Sequence, residues 1–350
     1  MRFILNRSST WQRTTDRHSS LWGQHRSVSA SLVGSLSIGR NETSRCRRWE
    51  ELSSRYHSSM PDSQTTSRIV FLGTGTSEGV PRVSCLTRTD RVCKVCTDAM
   101  KSGSPNRRRN TSLLIQRQLG DGRTNNIVID VGKFFYEAAM QWFPKYSVST
   151  IDALVITHSH ADAIGGMDDL RDWTNNTQDS LPIYLREVDL QNIESLFYYL
   201  VDRNRQTGGG GVAKLVFQTI DASPFVIDGL EFIPLPVQHG RTHEVFGYRF
   251  GPVSYVSDAS EISDATAELI AGSELLILDA LRPTRTHGTH FTVEEAIEQV
   301  RRLRPRRTLL TDATHDIDHN EVNADLARFR DSEGLDIQYA FDGMEVAVEL

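Results

Sequence analysis

The stretch IDALVITHSHADAIGGMDDLRDW, Ile151 to Trp173, decides the fold. Its first seven residues are mostly apolar, rich in β-branched side chains and too few for a helix, so they read as a buried strand. That strand delivers His158 and His160 at its end, and Asp162 with "GGMDDLRDW" then starts a helix. Two histidines at i and i+2 with an Asp two further on make a metal-site pattern that ordinarily continues with another histidine. Ala163 stands in that place.

The same device recurs along the chain. "PVQHG" ends an apolar run at His239, "VSDAS" another at Asp258, and "LTDATH" a third at Asp312. A lone histidine is ordinarily solvated or structural. Several strand ends carrying His or Asp are different, because they converge ligands on one edge of a fold. Imidazole and carboxylate together suit zinc, manganese or iron.

The remaining runs set the architecture. "RIVFLG" is a strand entering a glycine loop. "TSLLIQR" and "NNIVIDVG" flank the hairpin signal "GDGRTN", and a helix follows from about Lys133. "LPIYL" is a strand and "EVDLQNIESLFYYLVDR" an amphipathic helix. "KLVFQTI", "FVIDGLEFIPLPV", "FGYRF", "VSYVSDA", "SELLILDA" and "RTLLTDA" are strands. "FTVEEAIEQVRRL" is a helix with a capping-box pattern at Thr292 and Glu295. "NEVNADLARFR" is a helix, and "IQYAFDGMEVAVEL" a closing hairpin over Asp-Gly. Strands in consecutive runs with helices between them predict an α/β protein of two packed sheets covered by helices, not one doubly wound sheet. The glycine loop after "RIVFLG" invites a dinucleotide-binding reading. That reading needs a helix at once, and Pro81 with "RVSC" does not read as one.

Composition divides the chain near residue 66. The first 60 residues hold ten Arg, no Lys, fourteen Ser and only Asp16, Glu42, Glu50 and Glu51 as acids. That Arg-rich, Ser-rich, acid-poor leader (1–66) reads as a transit peptide or disordered segment, with a mitochondrial location implied. A start at Met60 is the cytoplasmic alternative. With the leader's surplus of six positive charges set aside, the whole-chain −6 becomes about −12 for the remainder, a poor surface for binding polyanions such as nucleic acid. The basic "NRRRN", Asn106 to Asn110, reads as a solvated loop or else a phosphate contact. No run approaches the roughly 18 apolar residues of a membrane span. Four cysteines in so long a chain do not suggest a disulfide scaffold. Cys93 and Cys96 form a C-x-x-C with Cys85 just before, while Cys46 lies in the leader.

From 67 to 350 the chain resembles the metallo-β-lactamase-fold hydrolases, and among them the phosphoribosyl cyclic phosphodiesterases and related eukaryotic hydrolases. The pieces that carry the resemblance come in order: "FLGTGTSEGVPR", the Cys cluster followed by "NTSLLI", "IVIDVG", "THSHAD", "PVQHG" with "FGYRF", "VSYVSDAS" and "FDGMEV". The resemblance implies the αββα sandwich of two mixed sheets flanked by helices. It implies a first metal on His158, His160 and His239, a second on Asp162, and Asp258 bridging the two. Two departures, Ala163 and Asp312, fall where the family has histidine, both at the second metal. Asp312 is the candidate replacement ligand, while Asp168 and Asp169 read as a solvated helix face or else as further oxygen donors. Cys85, Cys93, Cys96 and His315 match a structural zinc site, with a longer spacer after Cys85 than the family shows. His290 matches the assisting acid, and His287 is its neighbour and rival. Asp130 organises loops instead of binding metal.

The function so implied is hydrolysis of a small phosphate ester by hydroxide generated on one or two zinc or manganese ions, in a homodimer. Asp162 and His290 are the catalytic residues. A transfer-RNA 3′-processing nuclease of the same fold is the alternative enzyme. A non-catalytic metal-binding or regulatory protein is the alternative outside enzymes.

Overall fold

The computed structural model describes residues 67–206, 208 and 210–350. The Arg-rich leader, with Cys46 and Met60, lies outside the described residues. Two seven-stranded sheets build the described part. The first runs in the order β14 (Glu345–Val348), β1 (Ser67–Gly73), β2 (Ser112–Gln118), β3 (Thr124–Ile129), β4 (Ala153–Val155), β5 (Leu181–Arg186), β6 (Leu215–Ile220). The second runs β13 (Ile337–Tyr339), β12 (Arg307–Thr311), β11 (Leu275–Asp279), β10 (Val253–Val256), β9 (Glu244–Phe250), β8 (Leu230–Gln238), β7 (Phe225–Ile227). Each sheet is antiparallel through one half, β14 to β3 and β7 to β10, and parallel through the other.

The central strands are buried on both faces, which is why they read as unbroken apolar runs instead of alternating ones. Ile69, Phe71, Ile115 and Ile129 pack between the sheets against Phe232, Tyr248, Tyr255 and Ile277. Their neighbours Val70, Leu72, Leu114 and Val128 point the other way, onto Phe135, Phe143 and Ile164 of the covering helices. The second sheet's outer face, with Leu276, Leu278 and Leu310, is covered by Ile297, Val300 and Leu326. The layers are therefore helix, sheet, sheet, helix, as expected. The capping box also forms: Thr292 accepts from the Glu295 N–H, and Glu295 accepts from the Thr292 N–H.

Four local expectations are corrected. The C-terminal "IQYAFDGMEVAVEL" is not a hairpin. β13 pairs parallel to β12 in one sheet and β14 antiparallel to β1 in the other, so the Asp342–Gly343 turn crosses between sheets. Asp342 is buried there, accepting from Thr74 Oγ1 (2.8 Å) and the Arg109 N–H (2.9 Å). Second, "NRRRN" is not a solvated loop. Arg108 and Arg109 are buried, Arg108 donating to the Thr314 carbonyl (2.9 Å) and Arg109 pairing with Asp342 (3.3 Å). Third, the long helix after β5 breaks at Phe197 into Glu187–Leu196 and Tyr198–Val201. Fourth, a helix of one turn, Val83–Thr87, follows Pro81 after all.

One buried histidine away from the strand ends sets a pH dependence. His319 is 8% exposed, and its Nε2 lies 3.1 Å from Asn323 Nδ2. Burial, with the Arg108 charge nearby, pushes it down to about 4 from 6.5. The unfolded chain then binds a proton that the folded chain refuses across that window. Stability falls as pH drops from 6.5 towards 4, by up to roughly 3 kcal/mol from this group. The difference in unfolding free energy between wild type and His319→Gln, followed by urea titration at pH 7 and pH 4, should shift against wild type by that order. An unchanged difference removes His319 as the cause.

Candidate metal centre

Parallel strands end on one edge, and the site is built from the residues just past those ends. β3 runs into Asp130, β4 into Thr157 to His160, β10 into Asp258, β11 ends at Asp279, and β12 runs into Asp312. Asp130, Asp258 and Asp312 each take left-handed backbone, φ 61°, 51° and 62°. Asp is among the few side-chain-bearing residues that tolerate this. The turn aims each short carboxylate back over the strand end. Gly132 lets the Asp130 loop sit directly on the next one, since a Cβ there would fall 1.9 Å from the Asp162 carbonyl oxygen.

Among the described residues, ring nitrogens of His158, His160 and His239 lie within 4.8 Å of one another. Their orientation is set from behind. Thr157 donates its hydroxyl to Asp130 Oδ2 (2.8 Å) and its N–H to Oδ1 (2.9 Å). That leaves the hydroxyl a lone pair for the His158 Nδ1–H, 2.9 Å away. His158 Nε2 therefore carries the free lone pair, and it is buried without a partner. His239 Nδ1 donates to the Thr289 carbonyl (2.7 Å), which again frees Nε2. Such rear hydrogen bonds are the usual way that metal-ligating histidines are held. Burial drives His158 well below its ordinary pKa and His239 down to about 4, which keeps both rings neutral.

A second group joins His239 to Asp258 and His290 within the same 4.8 Å. His290 donates from Nδ1 to the fully buried Asp279 (3.0 Å), and its Nε2 stands 3.9 Å from Asp258 Oδ1. Burial opposes protonation of His290, but the charge and hydrogen bond of Asp279 overcome it and push the ring up to about 10. Burial first, then the Asp162 charge, pushes Asp258 up to about 8. Asp312 is driven well up by burial and by Asp258. Asp162 Oδ1 lies 3.8 Å from His158 Nε2, and its other oxygen accepts from Ser77 Oγ. Asp312 belongs to neither group of three. Its Oδ1 accepts from Thr111 Oγ1 (2.5 Å), and its Oδ2 is buried without a partner.

These features fit divalent cations. Nitrogen and carboxylate donors converge, orphaned lone pairs remain on His158, Asp162 and Asp312, and like-charged carboxylates are crowded together. Asp168 is tied elsewhere, to Arg171 and to Tyr199 Oη (3.1 Å). Ala163 is buried in the apolar layer under the helices. Sequence reasoning missed Thr157, Thr289, Asp279 and Ser77. Only Asp279, in "LLILDA", carried the strand-end signal that marks the others.

The cysteines form a separate cluster. Cys85, Cys93 and Cys96 set their sulfurs 3.2, 3.4 and 3.6 Å from His315 Nδ1. The longer spacer after Cys85 does not remove it from the set. Three sulfurs and one imidazole nitrogen suit a closed tetrahedral ion. The Arg82 N–H also points at Cys96 Sγ (3.4 Å).

Comparison with known proteins agrees with this fold. Residues 125–312 match the family model for a β-lactamase superfamily domain. A solved structure described as a new diphosphatase from the PhnP family is 31% identical, with 81% of this chain and 98% of that one covered, at TM-score 0.66. Zinc-bound PqqB from Methylobacterium extorquens shares the fold at TM-score 0.60 and 16% identity, over 80% of this chain and 100% of that one. A Porphyromonas gingivalis octanoyltransferase is 28% identical over 282 residues, 81% of this chain. The chain spans about half, 52%, of that relative's length.

Exchange of Cys93 or Cys96 for Ser should remove about one zinc per chain and lower the melting temperature, because a closed site contributes folding energy directly. Elemental analysis with thermal melts checks this. Unchanged zinc in both variants rejects the site.

Proposed function

Because the chain belongs to the β-lactamase superfamily, we propose that it is a metal-dependent phosphodiesterase acting on a small phosphate ester. One observation carries the reading. The His290–Asp279 pair, an imidazole whose Nδ1 donates to a buried carboxylate, stands against Asp258 and against His239 of the histidine trio.

His158, His160 and His239 would hold one cation. Asp162, Asp258 and Asp312 would hold a second, oxygen-rich position in which Asp258 is shared. Bound there, zinc or manganese supplies Lewis acidity, polarising a phosphoryl oxygen and lowering the pKa of water. The chain's own residues do the rest. Thr157 and Asp130 fix the His158 ring, and the Thr289 carbonyl fixes His239. The next residue, His290, presents its Nε2–H to the departing ester oxygen, while Asp279 steadies the imidazolium from behind. Ligand orientation and acid placement thus share the peptide 289–290. Asp258 sits beside His290 as a carboxylate that a cation would keep ionised.

Two measurements test this on the full chain. His290→Asn should lower turnover of an alkyl phosphodiester by about 10²–10⁴-fold, and turnover of a nitrophenyl diester by less than about tenfold, because nitrophenolate leaves without a proton. Metal content should not change. Loss of metal in this variant would instead make His290 a ligand, and equal loss on both esters would remove it as the acid.

Asp312→Asn, assayed by elemental analysis, should lose one cation per chain while the histidine trio keeps its own. Turnover should fall with it, since stabilising both the attacking and the leaving oxygen takes two cations. A wild-type protein fully active with a single active-site cation would refute the second position. No turnover of any small phosphodiester, with cleavage of a transfer-RNA precursor, would turn the assignment to the nuclease.

A further inference from the structure

His158 and His239 each have a hydrogen bond behind the ring, to a threonine hydroxyl and a threonine carbonyl. The exposed His160 has none: among the described residues, neither of its ring nitrogens meets a hydrogen-bond partner. An unheld ligand ring wastes affinity, because its rotation must be stopped each time a cation binds. Something else has to hold this ring.

The ring of His243 lies against it. The two imidazoles are stacked, centroids 5.0 Å apart and planes 16° from parallel. His158 and His239 meet His160 only at steep angles, 81° and 60°. We propose that His243 is the positioning residue for His160, doing with its ring face what hydrogen bonds do for the other two. The proposal rests on the trio being a cation site.

His243 is itself well anchored. Its carbonyl accepts the His239 N–H (2.7 Å), so the loop from 239 to 243 closes on itself. The next residue, Glu244, gives its carbonyl to Arg186 Nη1 (2.6 Å). Arg186 is held by the buried Asp189 (2.6 Å) and lies over the Phe246 ring, 5.0 Å from its centroid. Support therefore runs from β5 through Arg186 to the backbone beside His243. His243 Nε2 is enclosed without a partner. A role through the ring face uses no nitrogen, whereas a ligand or substrate-binding role would use that one.

The nitrogen and the face are separated by substitution. The full chain, stripped and then titrated with zinc against a chromophoric chelator, gives the affinity of the trio apart from the tighter cysteine cluster. His243→Ala and His243→Leu should both weaken the trio's zinc by about 10–100-fold, the range for lost ligand support. Leu fills the volume without an aromatic face. His243→Phe should return affinity to within about threefold of wild type, since a flat ring stacks without any nitrogen. If Phe is as weak as Leu, the nitrogen acts and the proposal fails. If Leu binds as tightly as wild type, the ring has no positioning role. The Phe and Leu pair decides even where Ala does not fold. A wild-type chain that takes up no zinc beyond the cysteine cluster would fail the cation reading of the trio instead, and is told apart by that result.

Discussion

Buried negative charge in excess of the chain's own cations is the constraint on which this structure turns. Asp130, Asp258, Asp279 and Asp312 are all buried at one edge, and among the described residues no lysine or arginine pairs with any of them. Asp130 is supported by Thr157, Asp312 by Thr111 and Asp279 by His290. Neutral hydroxyls soften a buried carboxylate but do not neutralise it, and desolvation favours the protonated form. A divalent cation reverses that balance locally. The core of two hydrophobic sheets fixes the acids rigidly enough that they cannot spread apart to relieve their repulsion.

The acids stay in place because of backbone more than side chain. Left-handed turns at Asp130, Asp258 and Asp312 end three strands in the same way. In sequence the turn reads as a largely apolar run, then Asp, then Val or Ala: "IVIDVG", "VSDAS", "LTDAT". Two residues past Asp130, a Cβ at Gly132 would fall 1.9 Å from the Asp162 carbonyl oxygen, so that loop needs glycine. An alanine in place of the Asp would lose both the carboxylate and part of the tolerance for positive φ.

That signature is why so much of the site was legible. Strand-end His and Asp stand beside apolar runs, and a run of five or six β-branched or leucine residues has few alternatives. What escaped reading was tertiary. "FDGMEV" carries the local chemistry of a hairpin, yet β13 finds a better partner in β12 and β14 in β1, each completing a sheet. Asp342 is drawn inward by Arg109 and Thr74, not left at a turn tip. "NRRRN" looks solvated because arginine usually is. Arg108 is internal because the Thr314 carbonyl and Asn106 meet its guanidinium in the interior. The Thr289 carbonyl that orients His239 has no side-chain signal at all. His243 had one, a histidine four residues after a ligand, but nothing in sequence shows that its ring would lie flat on His160.

The cysteine cluster and the strand-end site share two segments. One runs from Thr74 to Cys96. Its Ser77 donates to Asp162, its Arg82 N–H points at Cys96 Sγ, and its cysteines supply three sulfurs. The other runs from Asp312 to His315, so an acid of one centre and the imidazole of the other are three residues apart, with Arg108 clamping Thr314 between them. Neither segment has much core of its own: the cysteine stretch contributes only Val80, Val95, Cys96 and Ala99 to a small apolar cluster. A cation held by the cysteines would add the order that so few apolar contacts do not supply against the entropy of fixing some twenty residues. A cation ligated by the cysteines would thereby hold Ser77 against Asp162 from one side and Asp312 in its turn from the other. The distant cluster would then be a condition for the geometry of the strand-end site, although no atom of it needs to touch a substrate.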